Sequence, residues 1–299
     1  MSARIILHGK QGANQEVRDA VEAARERHQV EVRVTWEAGD ARRFAREATA
    51  EGVERVIAGG GDGSINEVLD GLLEAGFRGV LGVLPLGTAN DFARSAGIPA
   101  GMDQALELAL SAKSVACDVG WANERAFLNV ATGGFGTEVT TSTDATLKEM
   151  LGGAAYFLTG VSRFASLEPS RAHIESAEGV WEGDLLALAV GNGRQAGGGQ
   201  VMCPEARVDD GLLDVTIIPY LDTMNVVDGL RSMLDGSGAL DSLSVRWRVA
   251  ELSVSADEAL TLNLDGEPVT GKAHHFQVEP NRIQLALPEN APLLESSPE

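Results

Sequence analysis

Val56-Ile57-Ala58-Gly59-Gly60-Gly61-Asp62-Gly63-Ser64-Ile65-Asn66-Glu67 is the stretch that decides how this 299-residue chain is read. A short β-rich run meets three glycines, an aspartate and a fourth glycine, and then passes into an amphipathic helix. Glycine lets a backbone approach a bulky anion closely and adopt positive φ at little steric cost. A helix opening at Ser64 aims its free N–H groups and the positive end of its dipole at the same point. The arrangement suits the phosphates of a nucleotide, with Asp62 positioned to engage Mg2+ directly or through water. A plain structural turn is the competing account.

A second stretch, Leu84-Pro85-Leu86-Gly87-Thr88-Ala89-Asn90-Asp91-Phe92-Ala93-Arg94, repeats the design. It follows an apolar strand-like run, residues 79–84, and leads into a short helix. Taken alone, its Thr, Asn and Asp side chains are explained by helix capping. The two motifs lie about 25 residues apart on successive strand-to-helix turns. In an open parallel sheet such turns share the carboxyl edge, where ligands bind.

Outward from these motifs, strand and helix patterns alternate over the first 115 or so residues. Strands are predicted at 4–7, 30–35, 53–58 and 79–84, and helices at 15–28, 41–51, 64–75, 88–96 and 103–112. That alternation predicts a parallel sheet covered on both faces. Near Asp118 the pattern changes to short alternating segments at 115–121, 125–131, 171–175, 185–191, 213–219, 244–249, 251–255, 260–264, 275–279 and 282–287. Turn residues separate them, as at Asp209-Asp210-Gly211 and Asp265-Gly266, and the pattern predicts an antiparallel β-sandwich. Helical interruptions fall at about 144–165 and 222–235. The expected division is an α/β nucleotide-binding domain over 1–117 and a β-sandwich domain over 118–287. No Pro-, Ser- or Gly-rich linker separates them, so close packing is expected.

Composition excludes several classes of function. The formal charge is −20 and the pI near 4.6, which argues against a nucleic-acid partner and against broad adhesion to anionic lipid. The two cysteines, Cys117 and Cys203, suggest no disulfide framework and favour a reducing, cytoplasmic setting. No charged leader with an apolar segment opens the chain, and no apolar run reaches the ~18 residues of a membrane span. The phosphate-type turns carry no Walker lysine, so this is not a P-loop enzyme.

Gly-Gly-Gly-Asp-Gly-Ser-Ile-Asn-Glu followed by Pro-Leu-Gly-Thr-Ala-Asn-Asp-Phe-Ala resembles the diacylglycerol kinase catalytic-domain superfamily, and within it the bacterial YegS-type lipid kinases. The resemblance continues through Ala131-Thr132-Gly133-Gly134-Phe135-Gly136, the stretch 191–199 and Asn263-Leu264-Asp265-Gly266-Glu267-Pro268, so it spans residues 4 to 294. It implies an N-terminal domain like those of NAD kinases and phosphofructokinases, to which the chain's end, 288–299, returns. It further implies an ATP- and Mg2+-dependent kinase acting on a lipid hydroxyl of diacylglycerol, phosphatidylglycerol or sphingoid type. Such an enzyme is expected in the cytoplasm and transiently at the inner face of the membrane.

Carried over residue by residue, the resemblance assigns ATP contacts to Thr35, Gly60, Gly61, Asp62, Gly63, Ser64, Ile65, Asn66, Glu67 and Thr88. It assigns catalytic roles to Asp62 and to Glu267, the latter as the base that deprotonates the lipid hydroxyl. Without it, a strand-end Thr35 and a solvated hairpin Glu267 are the readings of those residues. A second ion, Mg2+ or Ca2+, maps to the Asp210 carboxylate with the carbonyls of Arg207 and Leu212, and an Asp-Asp-Gly hairpin turn is compatible with it. The family's first turn usually carries asparagine where this chain has His8, although Gly9 preserves the bend. Two readings of residues 191–199 stand side by side: a cleft-lining segment that brings Arg194 to a phosphate, or a flexible surface loop. The apolar run 151–161 reads as buried core rather than an acyl-chain or membrane site. An NAD kinase-like enzyme shares the Gly-Gly-Asp-Gly turn, and a non-catalytic nucleotide or lipid sensor is the alternative from another class.

Overall fold

Alternating strands and helices build the first half of the chain. β1 (Ser2–Leu7), α1 (Gln15–Arg25), β2 (Gln29–Val34), α2 (Asp40–Ala50), β3 (Arg55–Gly60), α3 (Asp62–Glu74), β4 (Val80–Pro85), α4 (Asp91–Ser95) and α5 (Met102–Ser111) follow in order. The four strands pair in parallel in the order β4-β3-β1-β2. All six residues of β3 are buried, as a central strand covered on both faces requires. Helices α2 and α3 pack together, and so do α1 and α5. From β1 the chain moves outward to β2, then returns across β1 to β3. The strand order therefore reverses between β1 and β3, which opens a crevice at their carboxyl ends.

The computed structural model describes residues 2–134, 170–220 and 244–294. The predicted helices at 144–165 and 222–235, the apolar run 151–161, Phe135, Gly136 and residues 295–299 lie outside the described residues. The remainder of the second half is β5 (Ser114–Ala122), β6 (Arg125–Phe127), β7 (Val130–Gly134), β8 (Ser170–Ser176), β9 (Gly179–Gly191), β10 (Gln195–Ala196), β11 (Gln200–Val201), β12 (Leu213–Pro219), β13 (Val245–Val249), β14 (Glu251–Leu264) and β15 (Glu267–Ala286).

These strands pair antiparallel with one another, and two of them serve two layers. β9 pairs with β8 through its first half and with β7 through its second. β14 pairs with β8 at Leu252–Ala256 and with β7 at Leu262–Leu264. A register break between Ser255 and Leu260 lets β14 change layers, a corner of the kind bulges make. The sequence pattern separates 251–255 from 260–264 because polar residues interrupt the alternation. In the structure that interruption is a bulge within one strand. Inside the layers Phe127 and Phe276 meet edge to face, centroids 6.3 Å apart, in a core with Ile174, Leu188, Val215 and Leu262.

β15 belongs to both halves. Phe276 lies in the second core, whereas Ile283 and Leu285 lie in the core of the α/β layer. Gln284 and Leu285 pair in parallel with Val80 and Leu81 of β4. The chain thus returns to the α/β layer within β15, ahead of residue 288, and Ala291 and Leu293 complete the return.

Candidate active site

The glycine turn is tighter than its sequence suggests. β3 runs to Gly60, and α3 begins at Asp62, two residues before the predicted start at Ser64. Gly61 is the extended residue before the helix, and its carbonyl accepts from Ser64 N (2.9 Å) and Ile65 N (3.1 Å). Asp62 and Gly63 occupy the first turn, where N–H groups have no intrahelical acceptor and an acidic side chain complements the dipole. A Cβ on Gly60 would sit 2.5 Å from Ser64 Cβ, and one on Gly87 would run into the Gly61 backbone. The two motifs therefore pack glycine against glycine. Thr88 lies exposed at the rim of the second turn. Asn90, at φ 51°, closes that turn by accepting from Gly87 N (2.8 Å) and donating to Gly87 O (2.8 Å).

Asp62 is already engaged by protein. Its oxygens accept from Asp91 N (3.1 Å) and Phe92 N (3.0 Å), so it caps α4 from a distant part of the chain. Asn90, at the N-cap position, makes no such bond. Each Asp62 oxygen retains a lone pair. Beside it lies the buried carboxylate of Asp91, whose Oδ2 accepts from Gly198 N (2.9 Å) in the β10–β11 turn and whose Oδ1 has no partner. Burial, with the neighbouring charge of Asp62, raises the Asp91 pKa. An orphaned buried oxygen beside a second carboxylate at a phosphate-type turn fits the oxygen chemistry of Mg2+. The second motif contains Asp91, which sequence reading treated only as a cap.

The other predicted nucleotide contacts divide into rim and interior. Thr35 stands just past β2, and its Oγ1 accepts from Gly9 N (3.0 Å). His8 bonds through Nδ1 to Lys10 N (3.3 Å), and Gln11 reaches the second motif at Leu86 O (2.9 Å). Glu67 accepts from Gly39 N (2.9 Å), the residue before α2. Ile65 is core, and the side chain of Asn66 is 2% exposed. Asn66 Nδ2 donates to Ala126 O (3.0 Å) and Asp265 Oδ2 (3.1 Å), so it joins the two halves of the molecule.

Asp265 is the residue that sequence reading undervalued. With Gly266 it forms the two-residue hairpin between β14 and β15, both at positive φ (48° and 105°), as an Asp-Gly turn of this type requires. Its carboxylate accepts from Leu128 N (2.7 Å), Asn129 N (3.2 Å), Val130 N (3.1 Å) and Asn66. Burial outweighs these donors and pushes its pKa up to about 6. The same bonds explain why 125–131 is not one strand: Leu128 and Asn129 turn their N–H groups inward to the carboxylate. The hairpin is thereby pressed onto the start of α3. A Cβ on Gly63 would lie 3.8 Å from Asp265 O and 4.0 Å from Glu267 Oε1. Glu267 is exposed, and its carboxylate stands beside the phosphate-type turn although some 200 residues separate them.

The glycine-rich segment 191–199 is neither a flexible loop nor a display site for Arg194. Asn192 is fully buried and donates to Asp118 O (3.1 Å) and Leu128 O (2.8 Å). Arg194 Nε donates to Ala206 O (2.9 Å), and burial lowers the pKa of its guanidinium. Only the Gly197–Gly199 tip, all at positive φ, reaches the site, through Asp91.

At the expected second ion site the Asp210 carboxylate is engaged by protein groups. Asp210 Oδ1 accepts from Leu212 N (3.0 Å), and Oδ2 is paired with the Arg248 guanidinium. Arg207 pairs with Asp209 and donates to Leu294 O (3.1 Å). Among the described residues no group of three or more His, Cys, Asp or Glu converges on a point. An ion held by Asp210 and the carbonyls of Arg207 and Leu212 would have to share that carboxylate with the Arg248 guanidinium. Asp118 instead fixes the segment, accepting from Gly211 N (2.7 Å) and Asn281 N (2.8 Å).

Comparison with known proteins matches both halves of the chain and its overall fold. Residues 2–122 match the diacylglycerol kinase catalytic domain model, and residues 129–287 match the YegS C-terminal NAD kinase beta sandwich-like domain. A Pseudomonas aeruginosa protein named "Probable lipid kinase YegS-like" is 50% identical over 98% of this chain and 97% of its own length. A protein of the same name from Alcanivorax borkumensis is 48% identical, covering 98% of each. Among solved structures, a Bacillus anthracis str. Sterne protein superposes with a TM-score of 0.81 at 24% identity, covering 97% of this chain and 96% of that one, which establishes the shared fold. Among the described residues no helix is long and apolar enough to cross a membrane.

Proposed function

The chain belongs to the YegS-like family that carries the diacylglycerol kinase catalytic domain, and on that premise we propose that it is an ATP-dependent lipid kinase. The observation that carries the proposal is the meeting of Glu267 with Gly63 at the first turn of α3. In this reading the triphosphate lies against the N–H groups of Asp62 and Gly63, with Gly60 and Gly61 clearing the approach and Ser64, Thr35 and Thr88 at its margins. Glu67, Ile65 and Asn66 act from behind by holding the turn in place. Asp62 and Asp91 would hold Mg2+, which would neutralise phosphate charge when bound.

The acceptor is a lipid hydroxyl of diacylglycerol, phosphatidylglycerol or sphingoid type, entering from the Glu267 side. The acceptor oxygen forms the new P–O bond as the bond to the leaving ADP oxygen breaks, and the hydroxyl proton passes to the Glu267 carboxylate. A carboxylate suffices as base because a loose transition state releases that proton late. The second-ion assignment at Asp210 stands apart from this chemistry, and no step uses it.

The test is transfer of labelled γ-phosphate from ATP to hydroxyl lipids in mixed micelles, with NAD as a competing acceptor. Labelled lipid is expected from the parent. With Glu267→Gln, turnover should fall about 100-fold or more while ATP still binds. Label on NAD would replace the lipid assignment with the NAD kinase-like one. Tight ATP binding without any transfer would indicate a sensor.

A further inference from the structure

We propose that Trp36 is the stacking platform for the purine base of the nucleotide, an inference that rests on the ATP reading above. Trp36 is 95% exposed, whereas Trp121, Trp181 and Trp247 pack against the two cores. A tryptophan offers a large apolar face, and leaving all of it in water forgoes the burial that usually justifies the residue. Trp36 N and Glu37 N both donate to Asp40 Oδ2, at 2.8 and 3.1 Å, and Arg43 holds the other oxygen. Those donors, the Trp36 N–H foremost, bring the Asp40 pKa down to about 2. The loop is therefore fixed by a charged staple while the indole it carries touches little.

The position of that indole fits one end of a nucleotide. β2 neighbours β1, and β1 neighbours β3, so the turn after β2 stands two strand spacings, about 10 Å, from the phosphate-type turn after β3. Between them lies the turn after β1, at the point where strand order reverses. A nucleotide with its triphosphate on α3 would cross that turn and bring its base to the β2 side. Two bonds tie the loop to the rest of the site. Thr35 Oγ1 accepts from Gly9 N in the intervening turn, and Glu67 of α3 accepts from Gly39 N in the Trp36 loop. Stacking on a neutral ring also needs no cation, which suits a protein of charge −20. It recognises the π-face of a purine and discriminates little between adenine and guanine.

The experiment compares binding of Mg·ATP and of inorganic tripolyphosphate, which has no base, by titration calorimetry on the full chain and on Trp36→Ala and Trp36→Phe. Circular dichroism checks that both variants fold. Stacking predicts that Trp36→Ala weakens ATP about 10- to 100-fold, that Trp36→Phe recovers most of the loss, and that tripolyphosphate affinity is unaltered. Equal ATP affinity in parent and Trp36→Ala would overturn the platform while leaving the nucleotide site standing. No ATP binding by the parent would overturn both readings. A blue shift in Trp36 emission on lipid vesicles, seen as the difference between parent and Trp36→Phe, together with unchanged ATP affinity, would replace the platform with a membrane contact.

Discussion

Replacing Asp265 by alanine removes the acceptor for four buried donors, three backbone N–H groups and the Asn66 amide. An orphaned buried donor costs ~1–3 kcal/mol, so the lower end of that range gives a loss of ~4 kcal/mol when the carboxyl is protonated in both folded and unfolded chains. The pKa raised from 3.8 to about 6 adds a second effect of opposite sign. The folded protein binds that proton more tightly than the unfolded chain does, so native stability falls by ~3 kcal/mol as pH rises between those values and is then flat. The alanine variant lacks this decline. Its penalty should therefore shrink with pH, to about 1 kcal/mol above pH 7, and contract by somewhat more than 1 kcal/mol between pH 5 and pH 8. Urea unfolding of parent and variant at the two pH values measures it. Asp214, whose pKa burial also raises to about 6, titrates in both proteins and cancels. A penalty that grows with pH would refute the reasoning, since it would mean that the four donors outweigh burial and hold the carboxylate ionised.

Gly87→Ala should force the two glycine turns apart, because the added methyl meets the Gly61 backbone. Overpacking of this kind costs ~1–3 kcal/mol, and a lower melting temperature should accompany at least about tenfold weaker ATP binding by calorimetry. Arg248→Met should free one Asp210 oxygen from its guanidinium. The expected outcome is a rise in melting temperature with millimolar Ca2+ or Mg2+ that is larger in the variant than in the parent. Equal shifts would mean that Arg248 does not exclude an ion from Asp210.

Periodicity and turn chemistry are local properties, so the sequence carried the α/β order, with β1–β4 and α1–α5 found within a few residues of their predicted spans. It also carried the two phosphate-type turns, since glycine at positions 60, 61 and 87 is dictated by contacts with near neighbours in the chain or in the matching turn. Strand ends resisted reading where a bulge imitates a turn, as in β14, and where one strand feeds two cores, as in β15. The start of α3 also moved, because the extended Gly61 leaves Asp62 free to enter the first turn. What no local pattern encodes is which distant groups meet. Asp62 caps α4 by accepting from the N–H groups of the buried Asp91 and Phe92, Asn66 is turned inward, and Asp265 gathers the N–H groups of residues 128–130, because buried polar groups demand partners that only the folded chain supplies. Those long-range bonds are also what set Glu267 against Gly63. The sequence marked both residues by their turns, and the packing of the Asp265 hairpin onto α3 brought them together.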